Sequence, residues 1–470
     1  MHNNCYHLLS DAEVKSFRKQ LLDFYENTKR NLPWRKDPYK PPQKDDPDDR
    51  KKLAVQRFYE VLVSEIMLQQ TRVETVKRYY DKWMKTLPTI LHCAQADYDT
   101  EVMPLWSGMG FYGRCKRLHS ACKYLAVLPA EEIPTSPERL AKNVPGVGPY
   151  TAGAVLSIAW GIPTGVVDGN VQRVLSRLLA LHCNVTKGKP NAFVWQMANL
   201  LVDPNFPGNF NQALMELGAV TCTPQTFNCP GCPVSNICKA YQEKIAIEQT
   251  DNSVRDVEDI ICQSHQSISK NTCEICSLCE PDPPYTSAEI WIQSRYPLRP
   301  PKVKQRIERA IVVVFQSQNS ETDEKYFLIR KRPTGGLLAG LWDLPTVEIG
   351  EDPWPKDMQL AFDNALSSWI SSENRQYIKK YQSCGRSTHI FTHIHKTSHV
   401  FYVLADQKLQ VQKEFYWISQ SDLEHVGMCE LGLKNYRAAL ELRKRKVSSL
   451  KDHRRTLLLP AFSQMKEKAV

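Results

Sequence analysis

The first half of the chain repeats apolar residues at intervals of three and four, which is the spacing of one face of an α-helix. The pattern runs from about residue 10 to residue 218 and is clearest in the segments 53–62 and 171–178. Strand-like alternation is scarce there. We therefore expect an almost wholly helical region, interrupted by the acidic, Pro-rich run 36–52, which is typical of an exposed loop.

The pattern changes after Ile307. Runs of β-branched and aromatic residues bounded by polar turns occupy 310–315, 325–332, 389–394 and 399–404. Such runs are typical of β-strands. Helical spacing returns at about 356–371 and 433–445. This part of the chain is predicted to be a separate α+β domain.

These patterns divide the chain into four parts. A helical domain spans 1–240 and contains a cysteine-rich loop at 222–238. A polar, Pro-rich linker spans 241–306, the α+β domain spans 307–450, and a basic tail spans 451–470. The predicted architecture is multidomain, with an all-α domain followed by an α+β domain.

The composition is that of an ordinary globular protein and excludes several classes. Of the 470 residues 42% are hydrophobic and 24% are charged, which argues against wholesale disorder. No apolar run is long enough to span a membrane, and the N-terminus has no features of a signal or transit peptide, so we expect a nuclear or cytosolic protein. Lys and Arg outnumber Asp and Glu by 61 to 51, which suits a polyanionic partner such as nucleic acid.

The cysteines are clustered: eight of the 15 lie between Cys222 and Cys279. In a reducing compartment such clustering indicates metal ligation rather than disulfides. Zinc sites usually use two close pairs of ligands. The four cysteines of the loop 222–238 are instead separated by six, two and five residues.

A glycine-rich turn between two helical stretches indicates a contact with DNA. Gly146, Val147 and Gly148 follow Pro145, and a helix is expected to begin at about Tyr150. Glycines let the backbone approach a partner closely, and N–H groups at a helix N-terminus can bind a phosphate. The pattern is typical of a helix-hairpin-helix, which grips the DNA backbone without reading its sequence. A plain turn between two helices is the alternative.

Two carboxylates stand in unusual surroundings. On a helix Glu65 would lie at the edge of an apolar stripe, where desolvation raises its pKa and keeps it protonated, as a general acid requires. Asp168 follows the turn downstream, between glycines and just before an amphipathic helix, where it could stabilise a developing cation. The alternatives are a buried structural Glu paired with an Arg and a simple helix N-cap.

Longer motifs resemble those of one family, the adenine DNA glycosylases of the MutY type within the endonuclease III-like helix-hairpin-helix superfamily. The resemblance runs from about His7 to the 440s. It rests on LPWR (32–35), SEIMLQQTRVETV (64–76), GMGFYGR (108–114), VPGVGPYTAGA (144–154), VVDGNVQRV (166–174), NQALMELGA (211–219), the cysteine loop and GLLAGLWDLP (336–345). It implies excision of adenine mispaired with 8-oxoguanine or guanine, after the adenine is flipped out of the duplex. It also implies that the α+β domain is Nudix-like.

The resemblance implies definite roles. Glu65 would protonate adenine N7 and later help activate water, and Asp168 would stabilise the oxocarbenium-like sugar, as paired carboxylates do in glycoside hydrolases. The other implied positions are Tyr150 and Asn170, which would orient these groups; Arg35 and Glu216, which would line the adenine pocket; and Gln69, which would fill the space left by the flipped base.

Tyr150 indicates the reaction type. Bifunctional relatives, which also cleave the strand, place a Lys nucleophile just after the hairpin, and a phenol cannot form a Schiff base. A monofunctional glycosylase is therefore expected. A bifunctional pyrimidine-lesion glycosylase/lyase and a catalytically silent DNA-binding scaffold are the competing hypotheses.

The chain departs from the family at two positions. The family usually has two tyrosines where Phe111 and Tyr112 stand, the first being a wedge beside the 8-oxoguanine. Phe111 keeps the stacking face and loses the hydroxyl. The family also tends to have Trp where Leu62 stands, in the wall of the adenine pocket.

The resemblance implies two metal sites. Cys222, Cys229, Cys232 and Cys238 match the superfamily's [4Fe–4S] loop, in which the cluster is structural and a basic loop touches DNA. A direct redox role of the cluster and four metal-free structural cysteines are the alternatives. Vertebrate members also carry a zinc site made of three linker cysteines and a histidine near the N-terminus. The implied zinc ligands are His7, Cys262, Cys276 and Cys279, with Cys273 as the alternative to Cys262. A linker with incidental thiols remains the other interpretation.

The resemblance implies that the C-terminal domain recognises 8-oxoguanine. A working Nudix hydrolase needs a Glu-rich Mg²⁺ box on its first helix, whereas the segment 335–370 has only two glutamates, so we expect no pyrophosphatase activity. Phe391, Thr392 and His393 match the family's Phe-Ser-His hairpin. Exposed strand residues without a role are the alternative.

The implied partner is double-stranded DNA that contains an A:8-oxoguanine mispair, bound by a monomer in the nucleus or, as a second form, in mitochondria. A sliding clamp and a downstream AP endonuclease are candidate protein partners. The segment TLLLPAF (456–462) lacks the paired aromatics of the usual clamp-binding motif.

Overall fold

The structure is a computed structural model. It describes residues 6–36, 47–251, 275–280, 289–299, 305–318, 324–333, 335, 338–350, 354–391, 393–423 and 426–441. Contacts between residues divide the chain into two compact units, Met1–Ala96 with Lys116–Pro301 and Asp97–Cys115 with Lys302–Val470. Among the described residues no helix combines the length and the apolar character needed to cross a membrane.

The N-terminal part of the chain is helical, which confirms the sequence prediction. Its helices are α1 (Asp11–Thr28), α2 (Pro47–Leu68), α3 (Val73–Thr86), α4 (Ile90–Gln95), α5 (Met103–Trp106), α6 (Gly113–Ala126), α7 (Pro137–Asn143), α8 (Pro149–Trp160), α9 (Gly169–Leu178), α10 (Gly188–Leu201), α11 (Pro207–Val220), α12 (Lys239–Asp251) and α13 (Trp291–Arg295). Helix α5 and the first turn of α6 belong to the second unit.

Local sequence signals explain where several helices begin. Ser10 and Glu13 cap α1 reciprocally, each side chain accepting the other's backbone N–H. Helices α8 and α11 start with a proline, which lacks only an N–H that would have no partner in the helix. The side chain of Asp168 accepts the Val171 N–H at the start of α9. These ends fix the loops from which the site is built.

Helix α8 lies at the centre of the first unit. It is apolar on nearly all sides and packs against α2, α7 and α11. The loop that leads from α8 to α9 also approaches α10 closely, because a Cβ added to Gly165 would stand 2.5 Å from the Ala198 carbonyl carbon. Only glycine permits this contact, which holds the loop just before Asp168.

Two predictions about connecting segments are corrected. The run 36–52 is not a loop throughout, because α2 begins at Pro47. A proline followed by acidic residues is a favourable helix start. The loop prediction was wrong for residues 47–52 because the prolines of the segment were taken as a sign of a loop. The predicted linker 241–306 contains most of α12 and all of α13, whose Trp291 is buried in a core cluster with Ala240 and Ile247.

The second unit contains the predicted α+β domain. Its strands are β1 (Arg306–Gln318), β2 (Lys325–Lys331), β3 (Trp342–Asp343), β4 (Thr346–Gly350), β5 (Ile378–Ile390), β6 (Ile394–Ala405) and β7 (Phe415–Ser419). Its helices are α14 (Met358–Ser367), α15 (Gln420–Leu423) and α16 (430–441). In the mixed sheet β1 pairs with β6 in parallel and with β2 and β4 in antiparallel fashion, β3 and β7 pair with β2, and β5 pairs with β6.

Strand β1 has two buried faces. Ile311, Val313 and Phe315 pack in one core with residues of α14. Val312 and Val314 pack in the other core with residues of α16. Because alternate side chains of a strand point to opposite faces, a sheet that is covered on both sides needs the continuous apolar run seen at 310–315.

The strand predictions are confirmed for three of the four runs and corrected for the fourth. The segment 389–394 is not one strand. Strand β5 ends at Ile390 and β6 begins at Ile394, so the residues between them connect a hairpin. The long β5 was not predicted, because its charged and polar residues are exposed along much of its length and leave little apolar pattern.

Candidate functional site

One cavity of about 650 Å³ in the first unit is lined by Glu65, Tyr150 and Asp168, which are far apart in the sequence. Other sequence-predicted residues that line it are Arg35, Gln69, Asn170 and Glu216. A larger cavity of about 820 Å³ shares Arg35, Ile158 and Gln212 with it but is lined by neither Glu65 nor Asp168. The smaller cavity is therefore the candidate active site.

Glu65 is a buried carboxyl that faces a phenol. It is 4% exposed on α2, and Tyr150 Oη donates a hydrogen bond to its Oε2 at 2.8 Å. Burial raises the pKa of Glu65 to about 7; the nearby Asp168 also raises it, whereas the Tyr150 hydrogen bond and Arg35 lower it. A carboxyl with such a pKa can both give and take a proton near neutral pH.

Asp168 is both a helix cap and a cavity residue. Its Oδ1 accepts the Val171 N–H at 2.7 Å and its Oδ2 accepts Asn170 Nδ2 at 2.9 Å. Burial raises the pKa of Asp168, and these hydrogen bonds act in the opposite direction. Asp168 is therefore the N-cap of α9, as the alternative interpretation expected. The cap also fixes the carboxylate at the wall of the cavity that Glu65 lines, so capping does not exclude a chemical role.

Glu216 is held by two arginines. Its side chain is fully buried, and it accepts hydrogen bonds from Arg30 at 2.7 and 2.8 Å and from Arg35 at 2.8 Å. Burial alone would raise the pKa of Glu216, but the two guanidinium groups lower it to about 2. This carboxylate is a permanent anion, unlike Glu65 in the same cavity.

Arg173 joins the Asp168 loop to the cysteine loop. Its Nη2 donates to Asn170 Oδ1 and to the Gly218 carbonyl, both at 2.8 Å, and its Nε donates to the Cys222 carbonyl at 2.8 Å. The backbone of Gly218 lies against Asn170, so that an added Cβ would stand 2.7 Å from the Asn170 Cβ. The position of Asn170, and with it Asp168, therefore depends on the chain around Cys222.

The predicted helix-hairpin-helix lies between α7 and α8. Gly146 has a φ of +80°, and the Val147 N–H closes the turn by donating to the Val144 carbonyl at 3.2 Å. Helix α8 begins after Gly148 without a side-chain cap. Gln69 Nε2 lies 3.4 Å from the Gly146 carbonyl oxygen, so the turn borders the candidate active site.

Sequence reasoning missed several cavity residues and misplaced one. Arg30, Trp34 and Met215 line the cavity, and the Met215 Sδ lies 3.2 Å from Tyr150 Oη. The LPWR and NQALMELGA motifs contain Trp34 and Met215, and Arg30 lies two residues before LPWR, so proximity to a motif was the signal that could have found them. Leu62, expected in the wall, is buried and does not line the cavity, whereas its neighbour Val61 does.

Phe111 and Tyr112 belong to the second unit and have opposite environments. Phe111 is 50% exposed and has a φ of +51°, which is costly for a residue with a Cβ. The guanidinium of Arg114 lies 5.1 Å from the Phe111 ring centroid. Tyr112 is buried and its hydroxyl accepts the Gly108 N–H at 3.1 Å. Phe111 is thus presented to solvent, whereas Tyr112 stabilises the loop through its hydrogen bond with Gly108.

The predicted 8-oxoguanine hairpin lies between β5 and β6. Phe391 is half-buried, its ring centroid is 4.5 Å from that of His389, and His393 is exposed. Thr392 lies outside the described residues. The hairpin therefore exposes His393 to solvent and covers part of Phe391.

The four cysteines of the loop 222–238 face one small cavity, which is otherwise lined mainly by apolar side chains. Burial raises the pKa of Cys229 and of Cys232 to about 11. Arg177 Nη1 lies 3.2 Å from Cys222 Sγ. Within the part of the chain that the structure describes, no three His, Cys, Asp or Glu side chains could hold a single metal ion. A four-iron cluster differs, because each thiolate binds its own iron.

The predicted zinc ligands are described only in part. His7 is buried, and its Nε2 lies 3.5 Å from Cys279 Sγ. Cys262, Cys273 and the side chain of Cys276 lie outside the described residues. The structure thus brings together the most distant pair of the predicted set, one from each end of the first unit's sequence.

Comparison with known proteins defines the class first. Residues 63–198 match the HhH-GPD superfamily of base excision DNA repair proteins, and residues 314–434 match the NUDIX domain. A solved thermostable thymine-DNA glycosylase is 24% identical, with a TM-score of 0.40 over 50% of this chain and 98% of its own. The two family matches, and not the solved structure, define the class as a base excision DNA repair protein of the HhH-GPD superfamily with a C-terminal NUDIX domain.

Full-length relatives narrow the class. The adenine DNA glycosylase of Schizosaccharomyces pombe is 58% identical over 461 residues, which are 98% of this chain and 97% of the relative. The human adenine DNA glycosylase is 37% identical over 408 residues, 84% of this chain and 68% of the relative. The chain belongs to the adenine DNA glycosylase family, whose members act on DNA in base excision repair.

Proposed function

We propose that the chain removes adenine from A:8-oxoguanine mispairs by hydrolysing the N-glycosidic bond, and that it leaves the DNA strand intact. The observation that carries the proposal is the cavity shared by Glu65, Tyr150 and Asp168. It offers a titratable acid and a second, fixed carboxylate to one extruded nucleoside. The Tyr150 phenol stands where a lyase would need an amine nucleophile.

Glu65 is the proposed proton donor. Its protonated form gives a proton to adenine N7, the C1′–N9 bond breaks, and the bonding electron pair leaves with the neutral base. Because burial raises its pKa to about 7, the protonated form of Glu65 is available near neutral pH. The resulting Glu65 carboxylate then takes a proton from the water that adds to C1′. Tyr150 holds the acceptor oxygen throughout.

Asp168 is the proposed stabiliser of the cationic sugar. Once the base leaves, positive charge is shared between C1′ and the ring oxygen, and a fixed anion in a water-poor cavity stabilises that charge strongly. The Val171 N–H and the Asn170 amide hold both oxygens of Asp168. The carboxylate of Asp168 therefore need not move when charge develops on the sugar. Asn170 is proposed to position Asp168, and Arg173 is proposed to position Asn170 through its hydrogen bond.

The proposed adenine-binding wall is formed by Glu216 with its partners Arg30 and Arg35. Glu216 accepts four hydrogen bonds, three from Arg30 and one from Arg35, so its lone pairs are already used. Glu216 is therefore proposed to fix Arg35, whose remaining N–H groups can donate to the ring nitrogens of adenine. A base without acceptors at these places would gain no hydrogen bond from Arg35.

Further contacts with DNA are proposed for a turn and for side chains that lie outside the wall of Glu65, Tyr150 and Asp168. The turn at Gly146, Val147 and Gly148 suits a backbone phosphate, and Gln69 beside it suits the gap left by the base. Exposed Phe111 suits a wedge between base steps. In the second unit, Phe391 and His393 with Thr392 are proposed to read 8-oxoguanine. The clamp segment 456–462 lies outside the described residues and is left as a sequence prediction.

Two metal groups complete the proposal. The cysteine loop fits a [4Fe–4S] cluster held by Cys222, Cys229, Cys232 and Cys238, because four thiols face one small cavity and Arg177 offers a cation beside it. When bound, such a cluster crosslinks the loop and thereby supports Arg173. A structural zinc ion near His7 and Cys279 is the second group, and the 3.5 Å separation of their donor atoms supports it.

The proposal is tested by single-turnover excision on a duplex with one A:8-oxoguanine pair. We expect the parent to release adenine and Asp168→Asn to be slower by about 10³-fold or more. Borohydride should trap no covalent adduct with the parent enzyme. Parental rates in Asp168→Asn would refute the site, efficient trapping would favour a lyase, and an inactive parent would favour a scaffold.

A further inference from the structure

The loop that precedes α6 holds its exposed aromatic residue on a strained backbone. Gly108, Gly110 and Phe111 have φ angles of +90°, +81° and +51°, so three neighbouring positions of the loop lie in the left-handed region. Glycine adopts this region without cost, whereas Phe111 carries a Cβ and does not. Contacts around the loop must therefore stabilise the conformation that turns the Phe111 ring to solvent.

Hydrogen bonds hold the backbone of this loop. Trp106 is fully buried, and its Nε1 donates to the Gly110 carbonyl at 3.0 Å. The Arg114 N–H donates to the Phe111 carbonyl at 2.9 Å. Such bonds cannot orient the Phe111 side chain, because a phenyl group carries neither a polar donor nor a polar acceptor. The orientation of the ring therefore depends on what packs against its faces.

The guanidinium of Arg114 contacts the Phe111 ring from the protein side. It lies 5.1 Å from the ring centroid of Phe111 and 5.5 Å from that of Trp106, and both distances are within the range of a cation–π contact. Arg114 is 3% exposed, whereas Phe111 is 50% exposed. The Arg114 Nη2 also lies 3.4 Å from the Gly110 carbonyl oxygen. One buried cation thus contacts both rings and the backbone of the strained turn.

The chemistry of the guanidinium suits this position. It is planar, always charged and weakly hydrated, so it packs well against aromatic faces. A cation–π contact becomes stronger when water is excluded from the cation, and Arg114 is buried. The cation also draws π-electron density toward its own side of the ring. The opposite face of Phe111 then becomes a better stacking partner for an electron-rich purine.

We propose that Arg114 is a positioning residue for the Phe111 wedge, because its guanidinium holds the ring in the exposed orientation in which it stacks on a purine of the duplex. The inference rests on the proposed wedge role of Phe111 and deepens it. Arg114 is too deeply buried to bind a phosphate, so its influence on DNA passes through the Phe111 ring.

The test measures equilibrium binding of the full chain to an A:8-oxoguanine duplex in the Glu65→Gln background, where the substrate stays intact. Phe111→Ala should weaken binding about tenfold, since it removes one aromatic stack on a base. Arg114→Met keeps the aliphatic stem without the cation and should weaken binding about fivefold. Arg295→Met is the matched control and should bind like the parent, because Arg295 is another buried cation on an aromatic ring, 4.2 Å from the Trp291 centroid.

A double-mutant cycle separates positioning from a general effect on folding. In the Phe111→Ala background, Arg114→Met should cause no further loss of binding, because the ring that the cation holds is gone. Arg114→Lys keeps the charge without the plane and should lose about twofold; it replaces Arg114→Met in the cycle if that variant does not fold.

Three outcomes would overturn the inference. Additive losses in the cycle would show that Arg114 acts independently of Phe111, and parental binding by Arg114→Met would show that the cation is not needed. Parental binding by Phe111→Ala would overturn the wedge role together with the inference. Single-turnover adenine excision by the same variants with Glu65 intact judges the glycosylase chemistry separately.

Discussion

A buried carboxyl group of the helical unit can be compared with one of the α+β unit. In the helical unit, Glu65 accepts its hydrogen bond from a phenol and has a pKa of about 7. In the α+β unit, Asp343 is 2% exposed and accepts a hydrogen bond from the Arg332 guanidinium at 2.7 Å and from the Leu344 N–H at 2.8 Å. Burial is common to both groups, and the partner differs.

The difference teaches how to separate chemistry from architecture in this fold. A buried carboxylate with a cationic partner stays charged and fixes neighbouring chain segments, as Glu216 does with Arg30 and Arg35. A buried carboxyl with a neutral donor titrates near physiological pH and can transfer a proton. By its neutral partner Glu65 is the proposed acid, whereas Asp343, held by Arg332 and by the Leu344 N–H, is part of the framework.

The largest expected effect comes from Glu65→Gln. The amide keeps the shape and cannot donate a proton to N7, so single-turnover excision should slow by about 10³-fold. Asp343→Asn is the matched control and should excise adenine at the parental rate with enzyme in excess. If both variants lost the same fraction of the excision rate, the loss would come from disturbed folding and not from the missing proton donor.

The pH dependence should distinguish the two kinds of carboxylate next. Glu65 must be protonated to act, so the excision rate should fall as pH rises above about 7. Tyr150 lowers the pKa of Glu65 by stabilising its anion, and Tyr150→Phe should therefore move the falling limb to higher pH by about one unit. Rates measured between pH 5 and 10 check this. A limb that shifts to lower pH would contradict the assigned hydrogen bond.

The framework carboxylate should affect stability instead. Asp343→Ala removes the partner of Arg332 in a buried pair, which should lower the free energy of unfolding of the α+β unit by about 3 kcal/mol. Denaturant unfolding followed by fluorescence measures it. The double variant Asp343→Leu/Arg332→Met should recover most of the loss, because it leaves no buried charge behind. Failure of the double variant to recover would mean that the pair is not the cause.

The smallest expected effect concerns recognition by the α+β unit. Phe391→Ala should reduce the preference for A:8-oxoguanine over A:G duplexes about tenfold, since one aromatic contact with a base contributes about 1–3 kcal/mol. Equilibrium binding in the Glu65→Gln background, where the substrate stays intact, measures it. The exposed Tyr381 of β5 is the control, and Tyr381→Ala should leave the preference unchanged.

The sequence predicted much of the site because its chemistry sits in short motifs. Glu65 and Asp168 were singled out by residue type and flanking pattern, Tyr150 was implied by the family resemblance, and the helical spacing predicted the elements that carry them. The start of α2 and the strand β5 were missed, because a Pro-rich start resembles a loop and an exposed strand lacks an apolar run. Arg30 and Met215 were missed because neither has a local signature of its own.

What the sequence determined by itself is the order of elements, the class of chemistry and the residues able to perform it, since periodicity and motif spacing are local properties. Only the tertiary structure decided which groups meet: Tyr150 with Glu65, Arg30 and Arg35 with Glu216, and His7 with Cys279. The tertiary structure also decides the pKa of Glu65. It depends on burial and on partners brought from distant parts of the chain, and no local pattern encodes these.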